Sequence, residues 1–336
     1  MILTWKEQTI EASEGSATIG CRSSHSSSVH NASLYTLGGE IIVRTPIDSL
    51  LWKLPLTESS SWSVVETLSE AAPSPRIAHA QTVVHNELFI FGGRQGITME
   101  ESPLSDLWKF SFDSLEWVLI PPTSSDSSVP SPRSFHKMLS VDNTLYVFGG
   151  CAAQGRLNDL HAYDIATNAW TKLAAPPASL TGRGGAGFVT NGTTSLFVVG
   201  GFNGAESNGI WRFDIASNSW ETVLEEGNTV VRPFSVACGA TIGKHFLFFG
   251  GEVNPSEKGH EGAGGFTNDV VVLDSDTGLP VPPSQMTVVG PLPRERGWAG
   301  AGVFNDSLVV YGGLSGSDAA PQRLGDVWVC SLQESE

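Results

Sequence analysis

One short pattern recurs through the whole chain: an apolar run that ends in a pair of glycines. The six glycine pairs occupy positions 38–39, 92–93, 149–150, 200–201, 250–251 and 312–313. The first glycines of successive pairs lie 54, 57, 51, 50 and 62 residues apart. A period of this length over 336 residues predicts a fold built from one repeated supersecondary unit.

Each unit contains four short apolar runs, rich in β-branched and aromatic residues and separated by turn residues. This composition is typical of strands joined by tight turns. The period near 50 and the glycine pair resemble the kelch repeat, whose four-stranded sheets pack radially into a β-propeller. We therefore predict an all-β chain in which residues 1–336 form a single six-bladed kelch-type β-propeller.

The two ends of the chain complement each other. The fourth run of most units contains a tryptophan. The sixth unit stops at GDVWVCSLQESE, which is its third run, and has no fourth run after it. The missing run is present at the N-terminus, as LTWKEQ around Trp5. We expect residues 2–8 to complete the last blade and close the ring, which removes an exposed sheet edge. The fifth unit also lacks its tryptophan, and VPPSQMTVV is expected to be its outer strand.

Composition excludes several classes of function. A net charge of −16 makes the chain a poor general partner for nucleic acids or anionic membranes. No apolar stretch is long enough for a membrane span, and no signal-peptide pattern opens the chain. The four cysteines show no metal-binding or disulfide spacing, so we interpret them as free thiols and expect a cytoplasmic protein.

Strand alternation predicts where the chemistry gathers. Because blade strands run up and down, the loop after each glycine pair shares a face with the start of the unit's first strand. Arg94 and the loop 252–267, the longest of its kind, belong to this face. An arginine is expected at the start of each first strand, at positions Arg22, Arg76, Arg133, Arg183, Arg232 and Arg296.

Most of these residues have two interpretations. The arginines can clamp an anion, or they can tie neighbouring blades through backbone carbonyls and carboxylates. The Arg-x-x-His pattern recurs in three units, ending at His25, His79 and His136, and such repetition favours packing over catalysis. The loop around Glu252 and His260 is either a metal-binding loop or a solvated acidic turn.

Several pieces of the chain resemble a narrower family, the plant thiocyanate-forming, epithiospecifier and nitrile-specifier proteins. They are PRSFH around Phe135, FGGR ending at Arg94, GRGGAGF around Arg183, GEVNPSEKGHEGAG from Gly251, and RGWAG around Trp298. The resemblance implies a stand-alone kelch propeller that steers the breakdown of a reactive, sulfated metabolite.

The resemblance also implies site residues. In that family a Glu-x3-Asp-x3-His motif binds Fe(II), which maps to Glu252, position 256 and His260. Here position 256 is Ser256, and Glu257 is the adjacent carboxylate that could substitute. The implied anion-binding arginines are Arg94 and Arg183.

We therefore expect a specifier-like enzyme, a non-redox lyase or isomerase that guides rearrangement or cyclisation of a small, perhaps anionic, substrate. Arg94, Arg183, Glu252 and His260 are the predicted catalytic residues, with Glu252 and His260 binding metal or acting as acid and base. Phe135 and Trp298 are expected to line the pocket. The alternative is a non-catalytic kelch scaffold whose mouth binds a protein partner.

Overall fold

The computed structural model describes residues 1–11, 19–57, 60–96, 101–122, 128–258 and 262–334. The described chain is built of short β-strands and one 3-10 turn, Pro283–Gln285. In chain order the strands are β1 (Ile2–Glu7), β2 (Ser26–His30), β3 (Ser33–Leu37), β4 (Leu51–Pro55), β5 (Ser63–Val64), β6 (Ala80–Val84), β7 (Glu87–Gly93), β8 (Leu104–Ser111), β9 (Glu116–Ile120), β10 (Lys137–Val141), β11 (Thr144–Cys151), β12 (Arg156–Asp164), β13 (Ala169–Lys172), β14 (Gly187–Thr190), β15 (Ser195–Phe202), β16 (Glu206–Asp214), β17 (Ser219–Leu224), β18 (Cys238–Ile242), β19 (His245–Phe249), β20 (Glu252–Asn254), β21 (Gly265–Phe266), β22 (Val270–Asp274), β23 (Thr287–Val289), β24 (Gly300–Phe304), β25 (Ser307–Ser317) and β26 (Ala320–Gln333).

These strands form the predicted six-bladed propeller. The first four blades are antiparallel four-stranded sheets, β2–β5, β6–β9, β10–β13 and β14–β17, each running outward from its first strand. The fifth blade contains β18, β19 and β22, and the sixth contains β24, β25, β26, β1 and β23. The six innermost strands contact one another in a closed ring, since β24 touches both β18 and β2.

The N-terminal strand closes the ring as expected. β1 pairs antiparallel with β26, from Ile2 opposite Gln333 to Glu7 opposite Trp328. Trp5 is 1% exposed, and its ring centroid lies 4.5 Å from that of Phe249 in the fifth blade. β1 therefore binds the last blade by its backbone and the preceding blade by its side chain.

The expected outer strand of the fifth blade is corrected by the structure. Only its beginning touches that blade, where Val281 donates a backbone hydrogen bond of 2.8 Å to Val272. Its end, β23, instead pairs in parallel with β1 of the sixth blade. Pro282 and Pro283 interrupt the segment, and because proline cannot donate to a strand ladder the chain turns away after Val281.

A closed ring of backbone hydrogen bonds surrounds the propeller axis. One residue per blade, in a left-handed conformation with φ between 48° and 61°, donates its N–H to the carbonyl of its counterpart in the preceding blade, over 2.7–3.0 Å. We call these six residues the axial ring; they are Ser24, Ala78, Phe135, Gly185, Val236 and Trp298. Five of them are not glycine, so the hydrogen bonds on both sides must hold the unfavourable backbone conformation.

The glycine pairs let neighbouring blades approach closely. At Gly92 a Cβ atom would lie 2.7 Å from the carbonyl oxygen of Arg133 in the next blade. The N–H of Gly93, whose φ is +96°, donates to that same oxygen over 2.9 Å. A side chain at this position would separate the blades, which explains why the pair recurs in every unit.

No helix among the described residues is long and apolar enough to span a membrane. The four cysteines are free thiols, with Cys238 and Cys330 buried in the core.

Candidate functional site

The residue after each glycine pair is brought to one mouth of the propeller. Each such residue forms an antiparallel bridge with the residue just before an axial-ring residue, for example Glu252 with Ser235 and Arg94 with Ile77. We call this second circle the mouth ring; it consists of Glu40, Arg94, Cys151, Phe202, Glu252 and Leu314. The repeat geometry therefore fixes which side chain of each unit reaches the mouth.

A cavity of about 270 Å³ opens at this mouth between the third, fourth and fifth blades. Three mouth-ring residues, Cys151, Phe202 and Glu252, line it together with Phe135 and Trp298 of the axial ring. The Phe135 and Trp298 rings meet edge to face, with centroids 5.2 Å apart and planes at 80°. These two rings form an aromatic wall on one side of the cavity, and their role in binding a substrate stays a prediction.

Glu252 lines the cavity as a buried carboxyl group, 9% exposed. Burial raises its pKa to about 7, and the charge of Asp318 adds to the rise. The N–H groups of Ser256, 3.3 Å from Oε1, and Gly264 act in the opposite direction by donating to the carboxylate. A carboxyl group with this pKa exists in both protonation states near neutral pH, which suits it to proton transfer.

A second carboxyl group, Glu206 at the start of β16, lies close enough to Glu252 for their charges to interact. Burial raises the pKa of Glu206 to about 8, the charge of Glu252 adds to this rise, and the Ser235 side chain opposes it. Sequence reasoning missed Glu206, because this single carboxylate belongs to no motif. Its position four residues after Phe202 of the mouth ring is the one signal that marks it.

The predicted anion-binding residue Arg94 is 3% exposed and lies in the mouth ring. It lines a small annex of about 20 Å³, next to the main cavity, with Glu40 and Leu314. Its guanidinium donates to the carbonyl of Glu101 over 3.2 Å, and burial lowers its pKa. Arg94 therefore belongs to the mouth but not to the wall of the main cavity.

The structure corrects the expectation that Arg183 binds a ligand. Its fully buried guanidinium donates to Gly200 O at 2.9 Å and Ser207 Oγ at 2.7 Å, and pairs with Glu226 at 3.1 Å. It also lies over the Trp211 ring, 4.4 Å from the centroid. Because an arginine two residues before the axial ring turns back into its own blade, Arg183 holds the fourth blade together and does not reach the cavity.

The same inward geometry applies to the other blades and explains the repeated arginines. Four arginines share the role of Arg183, each donating to the carbonyl of a glycine pair and binding an aspartate: Arg22, Arg76, Arg133 and Arg296. In the fifth blade this position is Phe234, whereas Arg232 is a half-exposed residue paired with Asp269. The expectation that Arg232 is the equivalent arginine of the fifth blade is therefore wrong, because the equivalent position is Phe234, two residues later.

The repeated histidines pack between blades, as their repetition favours. His25 Nε2 accepts a hydrogen bond of 3.1 Å from the N–H of Gly300 in the sixth blade. The rings of His79 and His136 are equally buried, His79 against Ser26 and His136 edge-on to Phe91. Burial, followed by the adjacent arginines, lowers the pKa of His25 and His136 to about 3, so neither carries a charge.

Two cavity arginines, Arg44 and Arg156, were not selected from the sequence. Arg156 begins β12, is exposed, and stacks over the Phe202 ring with its guanidinium carbon 4.7 Å from the centroid. Arg44 lies in the loop after the first glycine pair, in a left-handed conformation with φ 57°. Arg44 lies within, and Arg156 directly after, a loop that strand alternation assigns to the mouth, so position in the repeat was the available signal.

The described residues do not fit the iron site that the resemblance implies. Ser256 lines the cavity, but its hydroxyl donates to Asp318 Oδ1 over 2.6 Å. Glu257 is exposed and does not line the cavity, and His260 lies outside the described residues. Among the residues described, no group of three His, Cys, Asp or Glu side chains is placed to hold a metal ion. No chemical step is therefore assigned to iron below.

Six radial blades, glycine pairs and a loop-lined mouth define a β-propeller of the kelch class. The family model for the KLHDC2/KLHL20/DRC7 Kelch-repeats domain matches residues 24–251, and the chain belongs to this family. The solved structure of YjhT superposes with a TM-score of 0.73, covering 95% of this chain and 97% of that one, at 16% identity. That likeness supports the shared fold.

Among curated proteins, the chain is 28% identical over 291 residues to N-(sulfonatooxy)prop-2-enimidothioate sulfolyase of Thlaspi arvense. The match covers 78% of this chain and 81% of that protein. Human kelch domain-containing protein 10 is 26% identical over 198 residues, which cover 57% of this chain and 43% of that protein. The chain therefore spans most of the plant protein but less than half of the human one.

Proposed function

We propose that the mouth cavity binds a small organic anion and promotes a non-redox lyase or isomerase step on it. One observation carries the proposal. A cavity of about 270 Å³ combines a stacked arginine, an aromatic wall and the Glu252 carboxyl group, whose pKa is about 7. A concave, largely apolar site with a few polar groups is typical of small-molecule recognition.

The arginines of the cavity are suited to hold the anionic group. Arg156 makes no ion pair among the described residues, and stacking on Phe202 restricts its guanidinium at the rim. A guanidinium that is already restricted loses less entropy when it binds, and it can make two parallel hydrogen bonds to a sulfate or carboxylate. Arg44 lines the same cavity and adds positive charge.

The remaining groups are suited to the reaction itself. Phe135 and Trp298 would contact the apolar part of the substrate and exclude water, which limits competing hydrolysis. Glu252, in its protonated form, would donate a proton to a leaving or rearranging group and recover it afterwards. Glu206, next to Glu252, would keep the proton in the site by making ionisation of both carboxyl groups unfavourable.

The similarity to the Thlaspi arvense sulfolyase supports this proposal, since that name describes a lyase acting on a sulfonatooxy compound. The support extends to the class of chemistry, a specifier-like elimination or rearrangement of a reactive metabolite. No proposed step uses Fe(II), since position 256 is Ser256 and His260 lies outside the described residues.

A non-catalytic scaffold is the second candidate. The family match covers residues 24–251 and ends before the loop that carries Ser256. Several relatives carry the name kelch domain-containing protein. In this function the mouth would bind a protein partner through the same rim. Either function is consistent with a cytoplasmic protein whose cysteines are free thiols. Imaging of a fluorescent fusion would test the cytoplasmic location.

Binding of phenyl sulfate, measured by calorimetry, tests the proposed function. The Arg156→Gln variant should bind at least about tenfold more weakly, because a charge-assisted hydrogen bond contributes roughly 1.5–3 kcal/mol. The control Arg212→Gln alters an arginine near Phe197 that is paired with Glu221, away from the cavity, and should bind normally. Equal affinity in all three proteins, or a stoichiometric protein partner captured through Arg156, would favour the scaffold.

A further inference from the structure

A second chamber, of about 60 Å³, lies on the axis behind the aromatic wall. The mouth cavity is lined by axial-ring residues and by residues that precede them, such as Gly184 and Ser235. The chamber is lined by the complete axial ring and by residues that follow it, including His136 and Lys137. The two spaces therefore lie on opposite sides of the axial ring, and Phe135 and Trp298 border both.

Lys137 is the one charged group of the chamber wall among the described residues. It begins β10, the inner strand of the third blade, and the corresponding residues of the other blades are small: Ser26, Ala80, Gly187, Cys238 and Gly300. The lysine therefore lies where the other five blades leave room near the axis. The Lys137 side chain is partly buried, and its ammonium group makes no ion pair or hydrogen bond within the described parts of the chain.

Among the residues that the structure describes, no neighbouring carboxylate compensates this charge. Arg133, on the same segment, is already bound to Asp159 at 2.8 Å, and the three histidines of the chamber are neutral because burial and adjacent arginines lower their pKa. The titratable groups that interact with Lys137 are the Cys238 thiol and the neutral His136 ring. Burial lowers the pKa of Lys137, as is expected when an ammonium group is desolvated without a partner.

We propose that the axial chamber is a binding site for a small inorganic monoanion of chloride size, held by the Lys137 ammonium group. Lys137 is partly buried, and an anion would supply the counter-charge that the described side chains around it do not provide. The chamber has room for only a few water molecules or ions of similar size, because one water molecule occupies at least about 10–15 Å³ of cavity volume. It is therefore too small for an organic ligand of the mouth cavity.

Bromide is the probe, because its anomalous scattering identifies it in a crystal. In the wild-type protein soaked in sodium bromide, an anomalous peak should lie within about 3.5 Å of Lys137 Nζ. In solution, sodium bromide should raise the melting temperature saturably, compared with equal ionic strength of sodium gluconate, whose anion cannot enter the chamber.

Lys137→Met keeps the length and apolar part of the side chain and removes the charge, so both effects should disappear. Lys172→Met, which changes an exposed lysine at the end of β13, should retain both. An empty chamber in the wild-type bromide crystal, or an equal peak in Lys137→Met, would overturn the proposal. If Lys137→Met fails to fold, the wild-type crystal and the saturation curve still decide. The bromide experiments do not depend on whether phenyl sulfate binds at the mouth, so the two proposals can fail separately.

Discussion

At the scale of single residues, Glu206 and Glu252 are protonated at a pH where ordinary glutamates are ionised. Burial raises the pKa of Glu252 to about 7 and that of Glu206 to about 8, from an ordinary value of 4.5. Between these values the native protein binds more protons than the unfolded chain. The free energy of unfolding should therefore fall as the pH rises from about 4.5 towards 8.

The Glu206→Gln variant should make this decline shallower by about 1–3 kcal/mol between roughly pH 5 and 8, because glutamine does not ionise. Urea denaturation at several pH values measures the effect. Glu221→Gln, on the exposed side of the fourth blade, is the control and should leave the slope unchanged. If the free energy of unfolding depends on pH in the same way in wild type and Glu206→Gln, Glu206 has an ordinary pKa and the account of its burial is wrong.

At the scale of the structural element, five of the six blades are secured by an arginine two residues before the axial-ring residue. Arg76 is representative: it donates to Gly92 O at 2.9 Å and makes two bonds of 2.8 Å to the Asp106 carboxylate. Trp108 Nε1 donates to the same carboxylate over 2.6 Å, so the network joins the inner strands to the third strand of the blade. The fifth blade has Phe234 at this position and relies on apolar packing.

Arg76→Ala should destabilise the protein by about 3–5 kcal/mol, because it leaves Asp106 and a glycine carbonyl without their partner. Arg232→Ala should cost less than about 1 kcal/mol, since its ion pair with Asp269 is exposed to solvent. Chemical denaturation of both variants makes the comparison. Similar losses would mean that Arg232, not Phe234, has the structural role in the fifth blade.

The fold was predictable because the glycine pair and the alternating strands are local sequence signals, and they occur in each of the six units. The repeat also placed Arg94 and Glu252 at the mouth. The direction of the Arg183 side chain was not predictable, since it depends on Ser207 in β16 and on Glu226 in the turn after β17. Arg156 and Glu206 were missed because their environments arise from contacts between blades, with Phe202 and with Glu252.

At the scale of the whole molecule, two kinds of closure hold the ring together. The axial ring connects all six blades by backbone hydrogen bonds, and β1 joins the end of the chain to its beginning. Without β1, the antiparallel edge of β26 from Trp328 to Gln333 would be exposed. An open edge of this kind pairs readily with another chain.

Deletion of residues 1–8 should therefore lower the melting temperature and promote association between molecules. Addition of a synthetic peptide of residues 1–8 should reverse both effects, because the peptide can occupy the vacant edge. Calorimetry and analytical ultracentrifugation report the two properties. A truncated chain with unchanged stability would contradict the closing role of β1.

The mouth cavity is proposed to bind small organic anions, and crystallographic screening of a fragment library with equal numbers of anionic and neutral compounds tests this binding. The anionic fragments should collect in the mouth cavity, with their acidic groups hydrogen-bonded to Arg156 or Arg44 and their apolar parts against Phe135 and Trp298. Fragments that bind without preference for charge, or that leave this cavity empty and collect elsewhere, would contradict the claim.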